Sequence, residues 1–261
     1  MKYMKSNNKK KSNSKGFAEI FGTHAVHAAL QNPNRKHEKL FLSQHQKEIL
    51  RKNIGKLVPD INELHNKEMF KMFGNEATHQ GIVLRTSKLI QPNLGELINN
   101  SKKNKSDLVV MLDQVTDQNN IGSIMRSCEL FNCKSIIVSN DNAPNVTGAM
   151  AKAASGALET VNYISVVNLS RAMIQFKKKD YWIYGFDSNK INNQNINLDL
   201  PKKCVLVFGS EGKGIRNLTK KECDTLVSIP MQAHKKYKID SLNVSNACSI
   251  ALYEHFKNNI K

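Results

Sequence analysis

The chain has 261 residues, of which 40% are hydrophobic and 23% charged, as expected of a globular protein with a sizeable core. Its net charge of +17 favours polyanionic partners, either nucleic acid or an anionic membrane surface, although a lysine-rich composition alone requires neither. Apolar runs fall short of the roughly 20 residues that cross a bilayer, which argues against a membrane-spanning protein. The five cysteines form no C-x-x-C pair, and we expect no secretory signal, so the composition predicts a cytoplasmic protein without disulfides or zinc.

The first third of the chain predicts a basic tail and a small α/β domain. Residues 1–16 are rich in lysine, asparagine and serine, which predicts disorder. From Phe17 we expect a turn and short helix in EIFGTHAVHAAL, a strand at KLFL, a helix at QKEILRKNIGKL and a strand in THQGIVLRT. These elements define a predicted domain at 17–88, which a polar linker at 89–106 joins to a second domain at 107–261.

The second domain alternates predicted strands and helices. The strands are LVVMLD, SIIVS, NYISV, YWIYGFD, CVLVFGS and TLVSIP, and the helices cover about 121–131, 147–157, 168–178, 214–221 and 244–257. Several strands are continuous apolar runs, which predicts a mostly parallel sheet covered by helices on both faces. In such sheets a ligand lies beyond the carboxyl ends of the strands.

A first polar segment, DQNNIGSIMRSC at 117–128, follows a buried strand and opens a predicted helix. The apolar residues of this helix share one face, and Arg126 points away from it. Gly122 leaves space on the side of Arg126, and Asn119 or Asn120 is expected to cap the helix. Arg126 therefore lies over the top of the sheet near the loop, or is an ordinary solvated arginine.

A second polar segment, FGSEGKGI at 208–215, lies between a strand and a helix. Gly209 and Gly214 have Walker A spacing, but Ile215 replaces the required lysine, and the dinucleotide fingerprint G-x-G-x-x-G is also missing. Because Glu211 would repel a phosphate, this loop suits hydroxyls, an amine or a cation better. The alternative is a tight glycine turn with a capping carboxylate.

A third polar segment, SLNVSNA at 241–247, opens the last predicted helix. Ser241, Asn243 and Ser245 provide more polar groups than one helix cap needs. The apolar stripe of the helix contains alanine and cysteine, so another helix or a ligand can approach closely. A cap with additional solvent-facing polar residues would account for the same pattern.

Taken together, these segments resemble the SpoU family of RNA ribose 2'-O-methyltransferases, within the SPOUT superfamily. The residues from Asn119 to Ser127 resemble the first family motif, VFGSEGKG the second, and IPM followed by SLNVSNA the third, in the family's order. The stretches KAASGALE, FGTHAVHAAL and HQGIV further resemble a branch that methylates guanosine in 23S ribosomal RNA. The resemblance covers nearly the whole chain after the tail, and its N-terminal part is similar to a small RNA-binding domain.

The resemblance implies a trefoil-knotted methyltransferase domain that binds S-adenosylmethionine, without a metal. It also implies a homodimer, an active site built from both subunits, and RNA as the partner, either 23S ribosomal RNA or a ribosome-assembly intermediate. By position, the residues implied to line the cofactor pocket are Gly209, Ile229 and Leu242. The implied polar and catalytic residues are Asn120, Arg126, Glu211, Ser241 and Asn243, with Arg126 acting on the ribose 2'-hydroxyl.

The implied chemistry requires a ribose hydroxyl to lose its proton as it attacks a methyl group. None of the three motifs contains histidine or cysteine. Because arginine normally stays charged, Arg126 can stabilise a developing alkoxide, while its use as the base stays open. Two features depart from the family pattern: Gln118 replaces a usual proline, and the segment at 232–240 is longer and lacks glycine.

Two alternatives to this function remain. One is a tRNA 2'-O-methyltransferase, although family members that act on tRNA tend to lack the full N-terminal domain. The other is an inactive RNA-binding or ribosome-assembly protein, against which the intact motif residues argue. A nucleotide-dependent oxidoreductase is disfavoured because the glycine fingerprint is missing.

Overall fold

The computed structural model describes residues 16–53, 60–73, 79–100, 106–141, 143–187, 200–231 and 241–259. Several of the predictions above lie wholly or partly outside these ranges. They include the basic tail, the end of the helix expected at QKEILRKNIGKL, the first residue of the strand expected in THQGIVLRT, part of the linker at 89–106, and the lengthened segment at 232–240.

The N-terminal unit is a sheet of four described strands with helices packed around it. Its strands are β1 (Phe17–Phe21), β2 (His37–Leu42), β3 (Ile61–Glu63) and β4 (Ile82–Ser87), and its helices are α1 (Thr23–Gln31), α2 (Gln44–Asn53) and α3 (Asn66–Phe73). The strand order is β1-β4-β2-β3, with β4 antiparallel to both neighbours and β2 parallel to β3. The sequence analysis did not predict β1, because only Ile20 of this edge strand is buried and the strand has no alternating pattern.

The second unit contains a parallel sheet, which confirms the predicted fold class. Its strands are β5 (Asp107–Asp113), β6 (Ser135–Ser139), β7 (Asn162–Val166), β8 (Trp182–Phe186), β9 (Lys203–Gly209) and β10 (Thr225–Val227). They are ordered β10-β8-β9-β5-β6-β7, and every neighbouring pair is parallel. The carboxyl ends of all these strands therefore lie at one edge of the sheet. The trefoil knot stays a prediction.

Five helices of the second unit agree with the predicted set except at two ends, whereas the helix at Leu94–Asn100 was not predicted and lies in the stretch expected to be a linker. They are α4 (Leu94–Asn100), α5 (Gln118–Leu130), α6 (Gly148–Ala154), α7 (Leu169–Lys177), α8 (Asn217–Glu222) and α9 (Val244–Asn259). Helix α6 stops before the predicted residue 157 because Ser155 and Gly156 have left-handed φ values of 51° and 100°. Helix α8 starts after the predicted residue 214 because Gly214 still belongs to the preceding loop, where it pairs with Ser210. No helix within the described ranges is long and apolar enough to span a membrane.

Helices cover both faces of the parallel sheet, which explains the continuous apolar strands. In β5, Leu108, Val110 and Leu112 belong to one buried cluster, whereas Val109 and Met111 belong to a second cluster on the opposite face. Full burial of each such side chain contributes about 1.5–3 kcal/mol. Every residue of the strand interior is thus apolar, as expected where neither face meets water.

The N-terminal unit packs on α6 and on the turn that follows it. Arg35 donates to both carboxylate oxygens of Glu159, at 2.7 and 2.8 Å, and Asn32 donates to the same carboxylate at 2.7 Å. The Arg35 and Glu159 side chains are 2% and 6% exposed. Gly148 of α6 lies against Phe21, where a Cβ would stand 2.0 Å from the ring. A buried ion pair and close packing therefore join the two units.

Candidate active site

Three loops meet at the carboxyl edge of the parallel sheet. Strands β5 and β9 are neighbours, and their last residues, Asp113 and Gly209, are paired in register. The loop after β5 leads to α5, the loop after β9 contains Glu211, and the residues before α9 join them from the end of the chain. The three polar segments singled out in the sequence thus converge on one place.

Asn120, Glu211 and Asn243 form a hydrogen-bonded network, each residue from a different segment. Glu211 Oε1 accepts from Asn120 Nδ2 at 3.0 Å and from Asn243 Nδ2 at 2.8 Å. Asn243 Nδ2 also donates to Asn120 Oδ1, at 3.0 Å. Glu211 and Asn243 are exposed, and Asn120 is partly exposed. One carboxylate oxygen is therefore held by two amides at the surface, a polar group suited to binding a ligand hydroxyl or amine.

The cap of α5 is Asp117, and the prediction that Asn119 or Asn120 caps this helix is wrong. Asp117 Oδ1 accepts from the backbone N–H of Asn119 at 2.7 Å and of Asn120 at 3.0 Å. Because Asp117 satisfies these helix donors, the Asn120 side chain is available to Glu211 and Asn243.

Asn243 has two tasks at the start of α9. Its Oδ1 accepts from the backbone N–H of Ser245 at 2.8 Å and from the Ser245 hydroxyl at 2.6 Å, which caps the helix. Its Nδ2 meanwhile donates to Asn120 and Glu211. The alternative considered in the sequence analysis, that Asn243 only caps the helix, explains the contacts of Oδ1 but not those of Nδ2.

The glycines of the second segment allow the loop to fold back on its own strand. A Cβ on Gly209 would lie 2.0 Å from the Gly214 carbonyl carbon and 2.2 Å from the Ile215 nitrogen. The Gly214 N–H donates to the Ser210 carbonyl at 2.9 Å, and Gly214 has a φ of 63°. The tight turn considered in the sequence analysis is therefore present, but Glu211 at its tip bonds to other segments rather than capping the turn.

Arg126 stands apart from this network. It is exposed on α5, and no hydrogen bond or ion pair joins it to another residue in the described ranges. Gly122 does not serve to clear space for Arg126: a Cβ there would lie 2.5 Å from the Ala153 Cβ and 2.7 Å from the Met150 carbonyl oxygen. This glycine instead lets α5 and α6 pack closely.

The remaining predicted site residues lie near the same edge. Ile229 follows β10 and packs, half-buried, against the main apolar cluster. Leu242 is 36% exposed although it is apolar, and Ser241 beside it is exposed. Gly209, Ile229 and Leu242 thus all belong to segments that end or begin at the carboxyl edge.

The sequence analysis missed Asp113 and Arg216. Asp113 is fully buried, and its carboxylate accepts from the Arg216 backbone N–H at 2.9 Å and from Arg216 Nε at 2.7 Å. The sequence did contain a signal for this pair: Asp113 is the acidic last residue of the apolar run LVVMLD, and a buried carboxylate requires a partner. Gln118, which replaces the usual proline, accepts from the Thr147 hydroxyl at 2.5 Å and so connects α5 to the cap of α6.

The cysteines of α5 and α9 are buried in the apolar core rather than exposed at the site. Cys128 on α5 and Cys248 on α9 are fully buried, and this burial raises the pKa of both thiols well above the usual range. A buried neutral thiol is a poor nucleophile. The described residues contain no group of three or more His, Cys, Asp and Glu side chains that could hold a metal ion.

The fold and this cluster define an α/β protein with a polar side-chain cluster at the carboxyl ends of parallel strands, the edge where such folds bind ligands. Residues 107–253 match the SpoU rRNA methylase family, and residues 20–92 match the RNA 2'-O ribose methyltransferase substrate-binding family. The chain therefore belongs to the SpoU rRNA methylase family, as the sequence motifs predicted.

Curated relatives are similar over most of their length. The 23S rRNA (guanosine-2'-O-)-methyltransferase RlmB of Shewanella oneidensis is 35% identical, over 90% of this chain and 95% of the relative. The RlmB of Vibrio cholerae is 33% identical, over 90% and 94%. An uncharacterized tRNA/rRNA methyltransferase of Synechocystis is 32% identical over 91% of this chain, which spans 62% of that longer protein.

Solved structures share the fold at low sequence identity. The SpoU methyltransferase AviRb of Streptomyces viridochromogenes, in complex with AdoMet, has a TM-score of 0.73 at 19% identity and covers 96% of this chain and 93% of its own. An AdoMet-bound rRNA methyltransferase of Sinorhizobium meliloti has a TM-score of 0.70 at 19% identity, covering 95% and 89%. Both similarities extend over the N-terminal unit as well as the parallel sheet.

Proposed function

We propose that this chain methylates the ribose 2'-hydroxyl of a guanosine in 23S ribosomal RNA, with S-adenosylmethionine as the methyl donor. The observation that carries the proposal is the Asn120–Glu211–Asn243 network, because it joins the three family motifs at the ligand-binding edge of the sheet. The choice of guanosine in 23S RNA rests on the two RlmB relatives, whose similarity covers 90% of this chain.

RNA is the expected partner for two independent reasons. Residues 20–92 match a family of RNA methyltransferase substrate-binding domains. The net charge of +17 provides the electrostatic attraction that the phosphate backbone requires. Together with the five cysteines, which are all free, a ribosomal RNA substrate supports a cytoplasmic location. We also retain the domain division at 17–88 and 107–261 as part of the proposal.

The residues at the carboxyl edge fit the cofactor that the family uses. We assign Ile229 and Leu242 to its apolar part, because both present apolar surface at this edge. We also assign Gly209 to the pocket, because it ends β9 at this edge and presents only backbone there. When bound, S-adenosylmethionine supplies an electrophilic methyl group on its sulfonium.

The chain's own side chains divide the remaining work. We assign the Arg126 guanidinium to the stabilisation of negative charge on the ribose 2'-oxygen as the hydroxyl loses its proton. Asn120 and Asn243 hold the Glu211 carboxylate, whose second oxygen can accept a hydrogen bond from a hydroxyl or amine of a ligand. Ser241 adds a hydroxyl beside Leu242. Alignment of the hydroxyl with the methyl group provides much of the expected rate gain.

We infer that the active enzyme is a homodimer in which Arg126 serves a site shared between subunits. Arg126 is exposed and lacks a described partner, as expected of a residue that faces a second copy or the RNA. Large apolar side chains are exposed where α5 meets α9, namely Leu130 at 66%, Ile250 at 39% and Tyr253 at 49%. Light scattering at micromolar concentration tests this; a monomer would contradict it.

The test of the function is methyl transfer from labelled S-adenosylmethionine to unmodified 23S RNA and to tRNA, with the modified nucleotide mapped. We expect 2'-O-methylguanosine in the 23S RNA. Label only in tRNA would overturn the substrate but keep the reaction, and no cofactor binding by calorimetry would overturn the reaction.

A matched pair of arginine variants tests the catalytic assignment. Arg126→Ala should lower turnover by about 10²–10³-fold, the typical cost of removing one oxyanion-stabilising donor, with cofactor affinity within a few-fold of wild type. Arg171→Ala removes another exposed arginine, from α7, and should leave turnover unchanged. Equal turnover of the Arg126 variant and wild type would refute the assignment.

A further inference from the structure

Asp113 is a buried carboxylate at the last position of β5. It is 0% exposed, and its described partners both belong to Arg216: the backbone N–H donates to Oδ2 at 2.9 Å and Nε donates to Oδ1 at 2.7 Å. The Arg216 side chain itself is 42% exposed. The carboxylate is therefore the fixed member of the pair, and the arginine comes to it from the surface.

Asp113 lies beside both ends of one loop, which runs from Gly209 to Arg216. Gly209, where the loop leaves β9, is paired with Asp113 across the sheet. Arg216, where the loop enters α8, is hydrogen-bonded to the Asp113 carboxylate. The loop thus starts and ends beside the same residue, whose backbone is paired with Gly209 and whose carboxylate is bonded to Arg216, and Glu211 lies at its tip.

The interior of this loop has little packing of its own. Gly212 has a φ of 83°, and a Cβ placed on it would meet nothing within 4 Å. Glu211, Gly212 and Lys213 are exposed, and the Ser210–Gly214 bridge is the backbone link inside the turn. A glycine-rich turn of this kind has many accessible conformations. Apart from the buried Ile215 and the hydrogen bonds of Glu211 to Asn120 and Asn243, its placement therefore depends on its two anchored ends.

We infer that Asp113 is a positioning residue for methyl transfer: by holding Arg216, it sets the Gly209–Arg216 loop that presents Glu211 and the Gly209 backbone to the ligand. This inference rests on the proposed function of that site. Asp113 acts through the loop and does not itself touch the ligand. The loss of its charge should weaken cofactor binding before it affects the step at the ribose oxygen.

The test compares variants of the full-length chain by calorimetry with S-adenosylmethionine and by hydrogen exchange of the 209–216 backbone amides. Asp113→Asn keeps the side-chain shape but loses the charge, and should raise the cofactor Kd by roughly 10-fold or more and speed loop exchange. Arg216→Met keeps the backbone donor, so a smaller rise, of roughly 3-fold, is expected. The corresponding steady-state change should be mainly in the KM for the cofactor rather than in kcat.

Glu159→Gln is the matched control, because it also neutralises a buried carboxylate paired with arginine, but at the junction with the N-terminal unit rather than beside this loop. Its cofactor Kd and loop exchange should equal those of wild type. If Asp113→Asn does not fold, Arg216→Met must still show faster loop exchange. Wild-type cofactor affinity and loop exchange in both loop variants would overturn the inference. A wild-type chain that binds no cofactor would instead refute the proposed function, while loop exchange would still decide the role of Asp113.

Discussion

The junction between the two units depends on Glu159, and we predict that its removal strongly destabilises the protein. The Glu159 carboxylate accepts three hydrogen bonds, at 2.7, 2.7 and 2.8 Å, from Arg35 and Asn32. In Glu159→Ala, the Arg35 side chain, which is 2% exposed in the native protein, would keep its hydrogen bond to the Ser87 carbonyl at 2.7 Å but would lose its ion pair. An uncompensated buried charge costs about 3–5 kcal/mol.

This cost is large relative to the usual stability of about 5–15 kcal/mol. At about 2–4 °C per kcal/mol for a chain of this size, the melting temperature should fall by about 6–20 °C. Urea unfolding followed by circular dichroism measures the free energy of unfolding directly. Methylation of structured RNA should fall as well, because the N-terminal unit loses its fixed position on the parallel-sheet unit.

Two controls test the physical reason for this prediction. Glu129→Gln breaks the Lys134–Glu129 pair, whose side chains are 50% and 36% exposed, and should cost less than about 1 kcal/mol. Arg35→Met combined with Glu159→Leu removes both charges, and should recover at least half of the loss. If Glu159→Ala lies within 1 kcal/mol of wild type, the argument from the buried charge is refuted.

Three further predictions concern the loop, the histidines and the thiols. Gly209→Ala should abolish cofactor binding by calorimetry, because its Cβ would overlap the Gly214 backbone, whereas Gly212→Ala has open space and should cost only about 1–2 kcal/mol for its positive φ. Burial lowers the pKa of His79 and His255 in the folded protein, so these histidines take up protons at a higher pH in the unfolded chain. The free energy of unfolding should therefore fall as the pH drops below about 6.5. An unchanged urea midpoint between pH 7.5 and 5.5 would contradict this. Burial raises the pKa of Cys223 to about 12, and it also raises the pKa values of Cys128, Cys204 and Cys248. Ellman's reagent should therefore react slowly with the native protein, whereas all five thiols should react in urea. Fast reaction of the native protein would refute the burial of these thiols.

The parallel sheet was predictable because its signal is local and repeated. Runs such as LVVML and CVLVF are apolar at every position, and only a strand covered on both faces requires that pattern. The structure confirms this with two clusters that share the residues of β5 alternately. The N-terminal strands β1 and β3 were not predicted, since a short strand with one or no fully buried residue leaves no comparable pattern.

The convergence of the three polar segments was also predictable, because each follows or precedes an element whose end lies at one edge of a parallel sheet. The partners within that site were not. Asp117, rather than an asparagine, caps α5, and Gly122 allows α6 to pack closely rather than clearing space for Arg126. Both outcomes depend on which side chains lie nearby in space. Neither choice is visible in a single helical pattern.

By itself, the sequence determined the sheet, the family motifs and the chemical types available at the site, because these depend on periodicity and on residues close in the chain. The tertiary structure alone decided the Asn120–Glu211–Asn243 network and the Asp113–Arg216 pair. Glu211 lies 91 residues from Asn120, and Arg216 lies 103 residues from Asp113. A hydrogen bond depends on distance in space, and only the register of neighbouring strands brings residues so far apart in the chain within 3 Å.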